Sequence, residues 1–233
     1  TLGAGGLVSD ELIADHEARA RGGAGLIILE GMAFHPSFTF ESAYLNAGRD
    51  DIMSGLAELS RACAKHSTAV FGQLFHAGRA VRYSLDGSRP LVYSASDTPD
   101  DRYRVVPIPM PNDMIWEVIE SYATAAARLA EAGLDGIEIL ASQGYLIGQF
   151  LNPNTNRRQD EFGGSLENRM RLLYESIART RRSIGNSRIL GIRITLDEKT
   201  KSGVEKTEAI EICQILENEG HLEIPGVGRF FQG

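Results

Sequence analysis

Cysteine is scarce in this chain: only Cys63 and Cys213 occur, far apart in sequence. That scarcity excludes both a disulfide framework and a Cys-x-x-Cys metal or redox site. Each thiol falls within a helical pattern, which predicts two buried cysteines. Cations are also in short supply, with 24 Lys+Arg against 31 Asp+Glu for a net charge of −7. Such a chain has no surplus of positive charge to replace counterions along a phosphate backbone, so a nucleic-acid partner is not expected. No apolar run approaches the length needed to cross a bilayer, and the start, Thr1-Leu2-Gly3-Ala4-Gly5, lacks the basic residues and apolar stretch of a signal peptide. No membrane partner and a cytoplasmic location are the expectations. What remains is 233 residues, 42% of them hydrophobic, a composition that excludes disorder and fits one globular domain.

Short apolar runs alternate with longer segments whose apolar residues recur every three or four positions, the pattern of an α/β protein. The first helix spans residues 9–21, with Ser9 as its cap and Asp10 and Glu11 in the turn where the helix dipole favours anions. Gly25-Leu26-Ile27-Ile28-Leu29 reads as a strand covered on both faces. A helix over residues 52–66 and a second strand over 69–75 follow. Residues 76–112 are rich in Pro, Ser, Asp and Arg with no helical period, a length of loop that in compact domains is usually functional or disordered. The next helix starts at Asn112 or Asp113, carries Ile115, Ile119, Tyr122, Ala126 and Leu129 on one face and stops near Gly133. Strand three is 136–140. A polar loop over residues 152–164 leads to a helix capped by Ser165, with Leu166, Met170, Leu173, Ile177 and Ile184 as its apolar stripe. Strand four, 189–194, and a helix from Lys206 to Asn218, closing at Gly220, complete the pattern. The count is four strands and five helices. Both an open doubly wound sheet and part of a (β/α)8 barrel fit it, and a full barrel takes about 250 residues with eight strands.

Parallel α/β proteins build their sites at the C-terminal ends of strands. Gln73, Glu138 and Arg193 each interrupt an apolar strand, and burying such side chains costs on the order of several kcal/mol unless they are paired. Glu138 and Arg193 read equally as an ion pair of the core or as part of a site. For Gln73 and Arg193 the alternative is the edge of a ligand. After strand three, Ser142-Gln143-Gly144-Tyr145-Leu146 turns sharply at its glycine and sets a tyrosine above the strand ends. A phenol, with an ordinary pKa of about 10, is protonated at neutral pH and can donate a proton.

Asn152-Pro153-Asn154-Thr155-Asn156-Arg157-Arg158-Gln159-Asp160-Glu161-Phe162-Gly163-Gly164-Ser165-Leu166-Glu167-Asn168-Arg169 resembles the signature of the Old Yellow Enzyme superfamily of flavin-dependent oxidoreductases. Gly72-Gln73-Leu74-Phe75-His76-Ala77-Gly78-Arg79 resembles a second motif of that superfamily. With Gly22-Gly23-Ala24-Gly25-Leu26-Ile27 and Gln149-Phe150-Leu151 these lie in family order, and the resemblance covers the chain to about Gly220. It implies a (β/α)8 TIM barrel, incomplete in this chain, that binds FMN over its C-terminal face. NADH or NADPH reduces the flavin and a small-molecule substrate, an activated alkene, reoxidises it. By matched positions, Gln73 meets the pyrimidine edge of the flavin, Arg193 lies near its N1 and C2 carbonyl, and Gly31 brings backbone close to the ring. A fixed guanidinium stabilises the anionic reduced flavin. Tyr145 matches the acid that protonates the substrate carbon next to the activating group.

Departures from the family pattern sort the branch. Where many ene-reductases carry a histidine and, three residues on, a histidine or asparagine that grip the substrate carbonyl, Leu140 and Gln143 stand here. That is closer to the 2,4-dienoyl-CoA reductase branch, in which Gln143 can still orient a carbonyl or the Tyr145 hydroxyl. No Cys-rich segment is present for that branch's iron-sulfur cluster. His76 and Arg79 head the long loop and either touch substrate or fix the loop through backbone hydrogen bonds, while Asp160, Asn168 and Arg169 read as fold determinants. Residues 1–220 are expected to form a partial FMN-binding barrel and 221–233 an irregular tail, in which Gly226-Val227-Gly228-Arg229 faintly matches a phosphate segment. A barrel of this family would begin and end with strands not found here. The expectation is therefore a truncated barrel with open edges, whose apolar interior promotes association into a homo-oligomer. The alternatives are amine oxidation of the trimethylamine-dehydrogenase type and a non-catalytic remnant.

Overall fold

The computed structural model describes residues 5–38, 44–81, 91–199 and 203–218. Four strands, β1 (Leu26–Met32), β2 (Ala69–Leu74), β5 (Gly136–Ala141) and β6 (Ile189–Ile194), form a parallel sheet in chain order. A parallel sheet taken in chain order, with helices between its strands, is one arc of a (β/α)8 barrel. The helices are α1 (Asp10–Arg21), α2 (Met53–Ala64), α3 (Asn112–Glu131), α4 (Leu146–Leu151), α5 (Leu166–Ile184) and α6 (Lys206–Asn218). A single 3-10 turn, Asp50–Ile52, leads into α2.

Local chemistry sets the helix ends where the sequence places them. The Ser9 hydroxyl accepts the Leu12 N–H, and the Ser165 hydroxyl accepts the Asn168 N–H, each satisfying an amide that the helix leaves free. The Asn168 side chain donates back to the carbonyls of Asp160 and Gly163, so the polar loop before α5 is tied to the helix it precedes. Arg158 pairs with Asp160 and donates to the carbonyls of Ala95 and Met110, which anchors the same loop to the long connection after β2. Arg169 is buried, with Leu151 O and Glu208 as its partners.

The core lies between the sheet and the helices. The stripe expected on α3 (Ile115, Ile119, Tyr122, Ala126, Leu129) is buried there, as are Met170, Leu173, Ile177 and Ile184 of the stripe expected on α5, whose first member, Leu166, is half-buried against the core; the two helices pack along each other. A second, smaller cluster of Ala33, Phe38, Phe75, Ala77, Val81, Val92 and Leu140, with Tyr44, Val105 and Tyr145 against it, forms at the C-terminal ends of β1, β2 and β5.

Several expectations need revision. There are six helices among the described residues, not five: α4 has only six residues and lies inside the stretch read as a motif. The loop over residues 76–112 contains a two-stranded parallel pairing, β3 (Tyr93–Ser94) with β4 (Ile108–Pro109), too short for an alternating pattern to reveal. Cys63 is buried but Cys213, on α6, is only half-buried. The expected tail, with Gly220, Pro225 and the Gly226 to Arg229 step, lies outside the described residues. No described helix is long and apolar enough to cross a membrane.

Candidate functional site

A β-bulge sets the floor of the site. In β1 the register with β2 shifts between Ile28 and Gly31, so that Gly31 pairs with Gln73. Gln73 in turn pairs with Glu138, and Glu138 with Gly191, so one row across the sheet reads Gly31, Gln73, Glu138, Gly191. Two polar side chains thus stand between two glycines. With no side chain at Gly191, Arg193, two residues further along the same face of β6, reaches back to Glu138. The Gln73 amide Nε2 donates to Glu138 Oε1 at 2.6 Å, and Arg193 donates from Nε to the same oxygen at 2.9 Å and from Nη2 to Oε2 at 3.4 Å.

The ion pair weighed for Glu138 and Arg193 therefore exists, but it is asymmetric, with side-chain exposures of 10% for Glu138 and 47% for Arg193. Glu138 serves as a bracket that orients two donors. Among the described residues, the Gln73 carbonyl oxygen and Arg193 Nη1 have no partner. An amide oxygen, an amide N–H and a guanidinium fork side by side complement an edge of alternating carbonyls and ring N–H. The pyrimidine edge of a flavin presents that pattern, so these residues fit FMN. Gly31 leaves no room for a side chain beside this row: a methyl group there would meet the Phe75 ring at 2.7 Å and the Gln73 amide oxygen at 3.3 Å.

Tyr145 follows β5 through a turn in which Gln143 and Gly144 take positive φ values of 60° and 68°. The Gln143 N–H donates to the Thr195 hydroxyl at 3.2 Å, which ties the turn to the end of β6, while the Gln143 side chain is exposed. Tyr145 is half-buried, with its ring 5.3 Å from that of Phe75, and its hydroxyl has no hydrogen-bond partner among the described residues. A phenol in that state has its proton available to a ligand.

His76 occupies a different setting. It is 1% exposed, and its Nδ1 accepts the Gly78 N–H at 3.0 Å. A backbone N–H can only donate, so the proton of the neutral ring sits on Nε2, which donates to the Ser37 hydroxyl at 2.8 Å. Ser37 in turn donates to His35 Nδ1 at 2.7 Å. Burial, reinforced by the nearby His35, pushes His76 down to about 3, so it is neutral throughout the physiological range. Arg79 gives Nη1 to the carbonyls of Thr98 and Pro99 and Nη2 to the Thr155 hydroxyl, the loop-fixing alternative for that residue.

Sequence reasoning passed over Gln149, quoted only as part of a motif. It is 2% exposed and uses every position of its amide. The available signal was one amide inside the apolar stretch Leu146-Ile147-Gly148-Gln149-Phe150-Leu151, since a buried amide must find partners.

An arc of parallel strands with its unpartnered donors at the C-terminal strand ends defines the class: a (β/α)8-barrel enzyme with its site on the upper face. The chain belongs to the NADH:flavin oxidoreductase / NADH oxidase family, which it matches over residues 3–224. Membership brings FMN as the family's cofactor and NADH or NADPH as its electron donor. It is 37% identical over 217 residues to the NADH oxidase of Thermoanaerobacter brockii, covering 92% of this chain and 33% of that protein. To the N,N-dimethylglycine/sarcosine dehydrogenase of Chromohalobacter salexigens it is 32% identical over 228 residues, covering 96% of this chain and 32% of that one. Among solved structures, 2-naphthoyl-CoA reductase in complex with 2-naphthoyl-CoA superimposes with a TM-score of 0.82 at 29% identity, covering 94% of this chain and 34% of that one. The chain thus spans about a third of the length of each of these relatives.

Proposed function

We propose that this chain carries the flavin-facing arc of a cytoplasmic FMN-dependent oxidoreductase that reduces an activated alkene, an enoyl or dienoyl thioester or an enone, with NADH or NADPH as the source of electrons. The observation that carries the reading is the incompletely partnered Gln73 and Arg193 pair bracketed on Glu138. Gln73 and Arg193 would hold the pyrimidine edge of FMN, with Gly31 admitting the ring. Bound FMN would supply two-electron hydride chemistry between the nicotinamide and the alkene.

The chain's own residues do the rest. Arg193 offers fixed positive charge where negative charge gathers on reduction, and water cannot reorganise as cheaply in its place. Tyr145 holds a proton at its hydroxyl and delivers it to the carbon next to the activating group, so the alkene gains one hydride and one proton. Gln143 lies beside it, exposed, and orients the substrate carbonyl through its amide. His76, locked neutral, donates only from Nε2, so a substrate contact there requires displacing the Ser37 hydroxyl. A thioester acceptor is favoured by the likeness to a solved reductase of an aryl-CoA thioester.

The second reading, oxidation of a methylated amine, is favoured by the relative that dehydrogenates dimethylglycine and sarcosine. In both readings Gln73 and Arg193 have the same task. The test is half-reaction kinetics of the full-length protein. Stoichiometric FMN, reduction by NADPH and reoxidation by 2-cyclohexenone or a dienoyl thioester are expected, with Tyr145→Phe slowing only the reoxidation, by about a hundredfold or more. Flavin reduction by dimethylglycine, with no reoxidation by either alkene, would replace the first reading with the second.

A further inference from the structure

The backbone on both sides of Tyr145 is clamped, and one buried amide holds most of the clamp. Gln149, three residues into α4, donates from Nε2 to Gly144 O at 2.7 Å and to Ala77 O at 2.9 Å. Its Oε1 accepts the Arg79 N–H at 3.1 Å and the Ser94 hydroxyl at 2.9 Å. On the other side of the tyrosine, the Leu146 N–H donates to His76 O at 2.9 Å. The carbonyl before Tyr145 and the amide after it are thus both fastened to the segment that follows β2. Gly78 makes room for the arrangement: a methyl group at that position would lie 2.1 Å from Gln149 Oε1, and its φ is +59°.

We propose that Gln149 is a positioning residue for proton delivery: by joining the turn before Tyr145 to the loop after β2 and to β3, it aims the phenol above the strand ends. The proposal rests on Tyr145 being the proton donor. Two features separate it from ordinary packing. All four of its side-chain bonds go to other segments or to the turn itself, and none caps α4. The Tyr145 hydroxyl, by contrast, has no partner among the described residues, so its position follows from its backbone and from apolar packing of its ring against the small cluster that includes Phe75. A backbone that drifts by an ångström carries the hydroxyl with it, and misplacement of that size costs on the order of a hundredfold in rate.

The test uses full-length, FMN-loaded protein carrying Gln149→Met, which keeps the shape of the side chain and removes its hydrogen bonds. Three results are expected together. The Leu146 amide exchanges with solvent deuterium at least tenfold faster; reoxidation by an alkene slows ten- to a hundredfold while reduction by NADPH changes less than twofold; and in a Tyr145→Phe background the added substitution changes reoxidation by less than twofold. Equal slowing of both half-reactions, full additivity with Tyr145→Phe, or unchanged Leu146 exchange overturns the proposal. If Gln149→Met does not fold, Ser94→Ala removes one of the four bonds, and a smaller shift in the same two readouts, exchange and reoxidation, decides the matter. Should Tyr145→Phe turn over at the unaltered rate, the proton-donor reading fails by itself and the catalytic proposal with it, while exchange still reports whether Gln149 holds the turn.

Discussion

Gln73 and Gln149 are the same side chain in two regions of one molecule, and they differ in how much of their hydrogen-bonding capacity the protein uses. Gln149 is buried and makes four bonds to Arg79, Ser94, Ala77 and Gly144. Gln73 is half-buried and makes one, to Glu138, leaving its oxygen without a partner among the described residues. A satisfied buried amide holds the fold in one arrangement. An amide left partly unsatisfied beside a half-exposed guanidinium is prepared for something that arrives later. The difference distinguishes residues that shape the site from residues that meet its ligand.

Gly78→Ala should break the satisfied region most severely. The new methyl group collides with Gln149 Oε1 and the residue is held at positive φ, so a loss of about 3 kcal/mol or more is expected in denaturant unfolding. The same substitution at Gly164, which also has positive φ but nothing nearby, should cost about 1 kcal/mol.

His76, in the same buried region, makes stability depend on pH. Its pKa is about 3 in the folded protein and near 6.5 when unfolded, so below the unfolded value the unfolded chain takes up a proton that the folded one refuses. Its contribution is present above about pH 6.5 and is lost as pH falls toward 3, with a slope of at most about 1.4 kcal/mol per pH unit. Melting temperatures measured from pH 7 to 4 should fall, and His76→Asn should flatten that part of the profile attributable to this group.

The unsatisfied region answers through the ligand. Arg193→Met is expected to weaken FMN binding by ten- to a hundredfold, the size of one charge-assisted hydrogen bond, whereas Gln149→Met should leave FMN affinity within about threefold. Flavin titration of the apoprotein checks both, and equal losses would erase the distinction between the two amides. The smallest effect concerns Tyr122. Its hydroxyl is fully buried with no partner among the described residues, and burial pushes its pKa up. Tyr122→Phe removes that unsatisfied group and should stabilise the protein by about 1 kcal/mol in urea unfolding.

How much of this was legible in advance follows from how local each signal is. The strand-helix alternation and the Ser9 and Ser165 caps could be read because periodicity and capping involve residues a few positions apart. Gln73, Glu138 and Arg193 stood out as polar residues within apolar strands. The place of Gly31 in their row could not be read by alternation, because a bulge shifts the register of β1 by one residue. Helix α4 was hidden by its shortness, and Gln149 with it. The strands β5 and β6 show the same limit: Gly136-Ile137-Glu138-Ile139-Leu140-Ala141 and Ile189-Leu190-Gly191-Ile192-Arg193-Ile194 are similarly apolar, yet every residue of the first is buried and none of the second.

By itself, the sequence determined the family, the order of strands and helices and the identity of the polar residues within the strands, because each of these depends on residue type and on spacing along the chain. Only the tertiary structure decided which of those residues share a layer and which have capacity left over. Gln73 meets Glu138 across 65 residues and Gln149 meets Ala77 across 72, and such bonds exist only once the strands and helices between them have packed.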